Sequence, residues 1–163
     1  MNARDLKSEF EQLLQRNRGR LAAVANSYAD GDTDDLLQEI LLQIWRSLSG
    51  FQGRACIDTW CYRVALNTAI SWRRSNGRRA LRLPPAAVEL DQIVGSSDGR
   101  DATELLQKFL RSLGDVDRGL LLMVLEDMTG EDMAQALGIS VGAVRVRIHR
   151  IKQRLSEWTA GEA

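Results

Sequence analysis

The sequence predicts an all-α protein of two small helical domains joined by a linker. Apolar residues recur at spacings of three and four from end to end, and alternating β-branched stretches bounded by turn residues are nearly missing. The periodicity is lost once, between Asn76 and Arg100, where Gly77, Pro84, Pro85, Gly95, Ser96, Ser97 and Gly99 gather. These features divide the chain into a domain over 1–79, a linker over 80–100 and a domain over 101–163. A length of 163 residues with 44% hydrophobic and 27% charged residues is enough for two compact helical units, each with a core.

The elements follow in order. Leu6, Phe10, Leu13 and Leu14 form a first apolar stripe and Leu21, Val24, Ala25 and Tyr28 a second, with Gly19 as the expected break between them. Asp30, Gly31 and Asp32 make a turn. A second helix starts near Thr33 with Asp34 and Asp35 in its first turn, where carboxylates complement the helix dipole, and continues through Leu37, Ile40, Leu41, Ile44 and Trp45 to about Leu48. Residues 49–54 read as a loop. The set Ile57, Trp60, Cys61, Val64, Ala65, Ala69 and Trp72 predicts a third helix to about Ser75, with both tryptophans as core. The linker is not purely polar, since Leu81, Leu83, Val88, Leu90, Ile93 and Val94 lie in it, so docking on a surface is expected. After it, Asp101, Ala102, Thr103 and Glu104 form a capping arrangement for helices over about 102–113 and 115–127.

The most informative stretch comes next. Thr129, Gly130, Glu131 and Asp132 cap a short helix carrying Met133, Ala134 and Leu137, and Gly138 stands where a left-handed residue ends it. Ser140 then caps a helix, VGAVRVRIHRIKQRL, whose Val144, Ile148, Ile151 and Leu155 point inward while Arg145, Arg147, His149, Arg150, Lys152 and Arg154 lie largely off that stripe. A Gly turn, a Ser cap and an acid-free basic helix together specify a helix-turn-helix whose second helix fits the major groove, where arginine bonds guanine bidentately.

Charge supports this reading despite its sum. The 22 basic and 22 acidic residues cancel, but residues 46–82 hold 8 basic against 1 acidic, and residues 83–140 hold 4 against 11. The ends, 1–45 and 141–163, net −3 and +3. Two cationic surfaces on an otherwise acid-coated body are expected, with the acids limiting indiscriminate attraction to polyanions. In the third helix Arg63, Asn67, Ser71 and Arg74 share a face that offers donors to a phosphate backbone, extended by Arg73, Arg78, Arg79 and Arg82. The neighbouring Phe51, Gln52 and Arg54 suit an unstacked base. Asp34, Asp35, Gln38 and Glu39 form an acidic face suited to a basic protein, though on these residues alone it reads equally as solvated surface.

Other classes are disfavoured. Cys56, Cys61 and the single His149 cannot build a disulfide framework or a four-ligand zinc site. Asp30, Asp32 and Asp34 begin like an EF-hand loop, but its sixth position is Asp35 and its twelfth Leu41, where glycine and glutamate are required. No phosphate-binding loop or dinucleotide fingerprint is present, so no cofactor and no enzymatic activity are expected. No run approaches the roughly 20 apolar residues of a membrane span, and the start lacks a signal-peptide core, so a cytoplasmic protein without direct membrane insertion is expected.

DTDDLLQEILLQIWRSL, TWCYRVALNTAISWRR and EDMAQALGISVGAVRVRIHRIKQRL, in this order and spacing, resemble the extracytoplasmic-function (ECF) group of bacterial sigma-70-type sigma factors over about residues 10–157. The resemblance implies a factor that binds the clamp helices of the RNA polymerase β′ subunit and captures the −10 element with its first domain, reads the −35 element with its second, and threads the linker toward the RNA exit path. It implies polymerase binding by Asp34, Asp35, Leu36, Gln38 and Glu39, and −10 contacts by Arg63, Asn67 and Arg74, with Phe51 to Arg54 as a flipped-base pocket. It implies −35 contacts by Ser140, Arg145, Val146, Arg147, His149, Arg150 and Lys152. The implied partners are core RNA polymerase and promoter DNA, and relatives are often covered across both domains by an anti-sigma protein. Two departures stand out: Val146 replaces a small polar residue common in relatives, which puts the preferred −35 sequence in question, and Cys61 replaces a larger apolar residue. The rival expectation is a stand-alone helix-turn-helix regulator, which would bind its operator without polymerase.

Overall fold

The computed structural model describes residues 2–82 and 98–161, with side chains over 2–76 and 101–161. These residues form seven helices: α1 (Ala3–Tyr28), α2 (Thr33–Leu48), α3 (Ile57–Arg82), α4 (Asp98–Ser112), α5 (Asp115–Leu125), α6 (Gly130–Leu137) and α7 (Val141–Gly161). The linker residues Leu83, Val88, Leu90, Ile93 and Val94, and the side chains of Arg78, Arg79, Leu81 and Arg82, lie outside the described residues.

Helices α1, α2 and α3 pack on one another. Helix α2 spans the predicted residues and buries Leu36, Ile40, Ile44 and Leu48, a strict spacing of four that keeps one stripe against its neighbours. Gly19 does not break α1. A mid-helix glycine costs about 1 kcal/mol, and burial of Leu13, Leu21 and Val24 on one continuous face outweighs it. Helix α3 runs past Ser75, so the boundary expected after residue 79 falls inside a helix. Asp101 to Glu104 likewise lie inside α4, which starts at Asp98, rather than ahead of it.

The second unit packs α5 and α6 against α7. Thr129 caps α6, its Oγ1 accepting the Asp132 N–H at 3.1 Å. Gly138 ends α6 at φ +67°, a left-handed conformation that glycine adopts without steric cost. Ser140 Oγ accepts the Ala143 N–H at 3.1 Å and opens α7. The Gly turn and Ser cap therefore occupy the positions their chemistry requires.

The two units dock. Helix α1 touches α4 and α5, and α3 touches α6. Their buried side chains form one cluster, in which Tyr28, Leu66 and Ala69 join Leu110, Leu113 and Leu120. The approach is tight at Gly119, where a Cβ would lie 3.1 Å from both Leu66 Cδ2 and the Tyr28 hydroxyl.

Candidate nucleic-acid interface

Helix α7 is pinned through Val144 and Ile151, both buried against the body. Ile148 and Leu155, also predicted to face inward, are partly buried. That orientation turns Arg145, Val146, His149, Arg150 and Lys152 outward, with Val146 half exposed at 50%. An apolar side chain so exposed between cations presents a surface for a base edge, as a thymine methyl requires. Arg147 sits differently: it is partly buried and its Nη1 donates to Asp117 Oδ1 on α5 at 2.7 Å. The ion pair makes it a brace between helices, which helical spacing alone could not reveal.

Helix α3 presents Arg63, Asn67, Ser71 and Arg74 on one exposed face. At its N-terminal end Phe51 and Trp60 stack obliquely, ring centres 5.3 Å apart, over a cavity of about 200 Å³ lined also by Gln52, Arg54, Thr59 and Arg63. Trp60, expected in the core, is thus partly exposed and forms a wall of this cavity, because the loop over 49–54 leaves its ring uncovered on one side. Gln135 and Ala136 of α6 close another side, and Gln135 Nε2 donates to the Arg54 carbonyl at 3.1 Å. An aromatic pair beside two guanidinium groups can stack and hold an unpaired base.

On α2, Asp34, Asp35 and Gln38 are exposed, and Glu39 accepts a hydrogen bond from Gln43 at 2.9 Å. Leu36, expected among the partner contacts, is 0% exposed and belongs to the core, because it starts the buried stripe of spacing four. The sequence reading missed two exposed apolar groups on this helix, Leu42 at 40% and Trp45 at 38%. Trp45 was expected inside, but its ring only lies edge-on to Phe10, centres 5.1 Å apart, at the rim of the bundle. A groove of about 580 Å³ separates α2 from α3, with Asp35 and Glu39 on one wall and Asn67 and Ser71 on the other. Acidic and donor faces read separately in sequence therefore meet in space.

Two family models match the chain: Sigma-70 region 2 over residues 13–79 and Sigma-70, region 4 over residues 103–155. The chain belongs to the ECF group of the sigma-70 family. Among its relatives, the ECF RNA polymerase sigma-E factor of Haemophilus influenzae is 28% identical over 91% of this chain and 86% of its own length. The Escherichia coli K12 sigma-E factor is 28% identical over 90% and 84%. The fold resembles CnrH, solved with the cytosolic domain of CnrY, at a TM-score of 0.70 and 24% identity over 96% of this chain and 91% of that one. It resembles equally the Bartonella quintana sigma factor RpoE, solved with the anti-sigma factor NepR, at 0.70 and 24% over 97% and 98%.

In this ECF sigma factor, region 2 comprises α1 to α3 and region 4 falls on α4 to α7. Cys61 is fully buried on α3, and burial pushes its thiol up to about 12, with Asp58 adding to the rise. It fills space in region 2. Among the described residues of the factor, no helix is long and apolar enough to cross a membrane.

Proposed function

We propose that this ECF sigma factor binds core RNA polymerase through the exposed acids of α2, Asp34, Asp35, Gln38 and Glu39, together with Leu42 and Trp45. With the polymerase it directs promoter-specific initiation in the cytoplasm. Helix α7 enters the major groove of the −35 element, where Arg145, Val146 and Arg150 meet base edges while His149 and Lys152 meet phosphates. Arg63, Asn67 and Arg74 take the −10 strand, and the Phe51 and Trp60 cavity takes a base from it. The polymerase supplies the phosphodiester chemistry, so the factor is not a catalyst. An anti-sigma protein that covers both regions is the regulatory partner expected.

The observation that supports this most directly is the pair of exposed basic helix faces, on α3 and α7, in a chain matched by both sigma region models. With zero net charge, the factor gains DNA affinity chiefly when the polymerase fixes both faces at promoter spacing, an effective-concentration gain. Run-off transcription with purified core polymerase tests the reading: transcripts should depend on this protein. Tight operator binding with no polymerase dependence would favour a stand-alone regulator instead.

A further inference from the structure

Helix α7 opens at Val141, and its exposed residues Gly142, Arg145, Val146, His149 and Arg150 recur at spacings of three and four, so they share one stripe. In a helix-turn-helix the first residues of the second helix reach base edges, and Val146 stands in the second turn of α7. A helical side chain leans over the turn that precedes it, so the half-exposed Val146 isopropyl group leans toward Gly142. Nothing crowds that position: a Cβ built on Gly142 meets only Ser140 Oγ, at 3.9 Å. Gly142 and Val146 therefore form a shallow apolar notch in the stripe, bordered by Arg145, His149 and Arg150.

The side chains of this notch offer no hydrogen-bond donor or acceptor. Guanine, adenine and cytosine are read in the major groove through polar atoms, whereas thymine adds a C5-methyl group. Pressing a polar edge on the isopropyl group strips its water and returns no hydrogen bond, while a methyl group gains by leaving water. A serine at this place could bond to more than one base, and valine removes that latitude. Its branched side chain is also held in one rotamer on a helix, so little freedom is lost on contact.

We propose that Val146, beside the space left by Gly142, is a specificity-determining residue that selects a thymine in the −35 element by its C5-methyl group. This rests on the assignment of the −35 role to α7. The flanking arginines supply polar readout, and the methyl contact fixes one position at which thymine is preferred.

Removal of a single methyl group tests this. Wild-type factor with core polymerase first selects sequences from a duplex pool randomised over the −35 element. In the selected duplex each thymine of either strand is replaced in turn by deoxyuridine, which lacks only the methyl group. At one position the replacement should weaken holoenzyme binding about fourfold, the worth of one buried carbon group. At that position 5-methylcytosine paired with guanine should bind better than cytosine in the same pair by a similar factor, which separates the methyl group from the thymine O4. Val146→Ala should bring both ratios toward one with an unchanged melting curve, since the site is half exposed and alanine favours a helix. Lys152→Ala should weaken binding to every duplex and keep both ratios. Equal binding of thymine and uracil at every position would overturn the proposal, as would a selected element without thymine or a methyl gain that survives Val146→Ala. A wild-type holoenzyme that enriches no sequence over the −35 positions would instead overturn the role given to α7.

Discussion

Arg118 Nη1 donates to the Ser27 carbonyl at 2.8 Å, so a side chain of α5 satisfies a backbone acceptor in the last turn of α1. The same guanidinium group donates to the carbonyls of Leu110 and Arg111 at 2.8 Å and of Leu113 at 3.3 Å, where α4 ends. It lies under the Tyr28 ring, 5.2 Å from its centre, and is 1% exposed. Burial holds its pKa below the usual arginine range.

Arg118→Lys should therefore cost about 2–4 kcal/mol in urea unfolding, because one ammonium group cannot replace a planar fork of donors and leaves buried carbonyls unpaired. A loss below about 0.5 kcal/mol, the range of ordinary surface changes, would show that the carbonyls find other partners.

Arg145 and Arg147, near the start of α7, should behave differently. Arg145→Ala should relax preference at one −35 base by about 1–3 kcal/mol. Arg147→Ala should leave base preference unchanged, since its guanidinium group is engaged by Asp117. Lys152→Ala should weaken binding to all sequences and lower the salt slope by roughly 1. Titrations of −35 duplexes at several salt concentrations separate the three outcomes, and identical profiles for Arg145→Ala and Lys152→Ala would remove Arg145 as a reader.

On α2, neighbouring residues should separate binding from folding. Asp35→Arg should reduce pull-down of core polymerase while the melting curve stays in place. Leu36→Ala should destabilise the chain by about 2–5 kcal/mol, the usual cost of truncating a buried leucine. Undiminished capture of core enzyme by Asp35→Arg would remove the role given to this face.

The two cysteines should differ in reactivity. Cys56 is exposed and should react with a thiol reagent in the native protein at pH 8, whereas buried Cys61 should react only after unfolding. The Cys61 pKa rises from the ordinary 9.0 to about 12 in the folded chain, so unfolding releases its proton more readily. Its stabilising effect is complete below pH 9 and is lost as pH rises toward 12. Cys61→Ala should flatten that part of the stability profile, and an unchanged alkaline slope would exclude the thiol as its source.

Much of the candidate site follows from nearest-neighbour chemistry. Thr129, Gly138 and Ser140 each satisfy a backbone requirement within a few residues of themselves, so the helix-turn-helix is legible without a fold. The exposed face of Arg63, Asn67, Ser71 and Arg74 follows equally from a period of 3.6 residues, and the spacing of Ile40, Ile44 and Leu48 places α2.

Packing decided what periodicity could not. Gly19 stays helical because a long buried face crosses it, and Leu36 turns inward because it completes a stripe rather than an acidic patch. Arg147 is held by Asp117, Trp60 opens onto a cavity, and Asp115 of α5 meets Arg73 and Arg74 of α3 across more than 40 residues of chain. Helical spacing fixes which side chains share a face, since that depends only on local backbone geometry. Which faces meet depends on how apolar area and opposite charge are brought together over long sequence separations, and that is a property of the folded molecule alone.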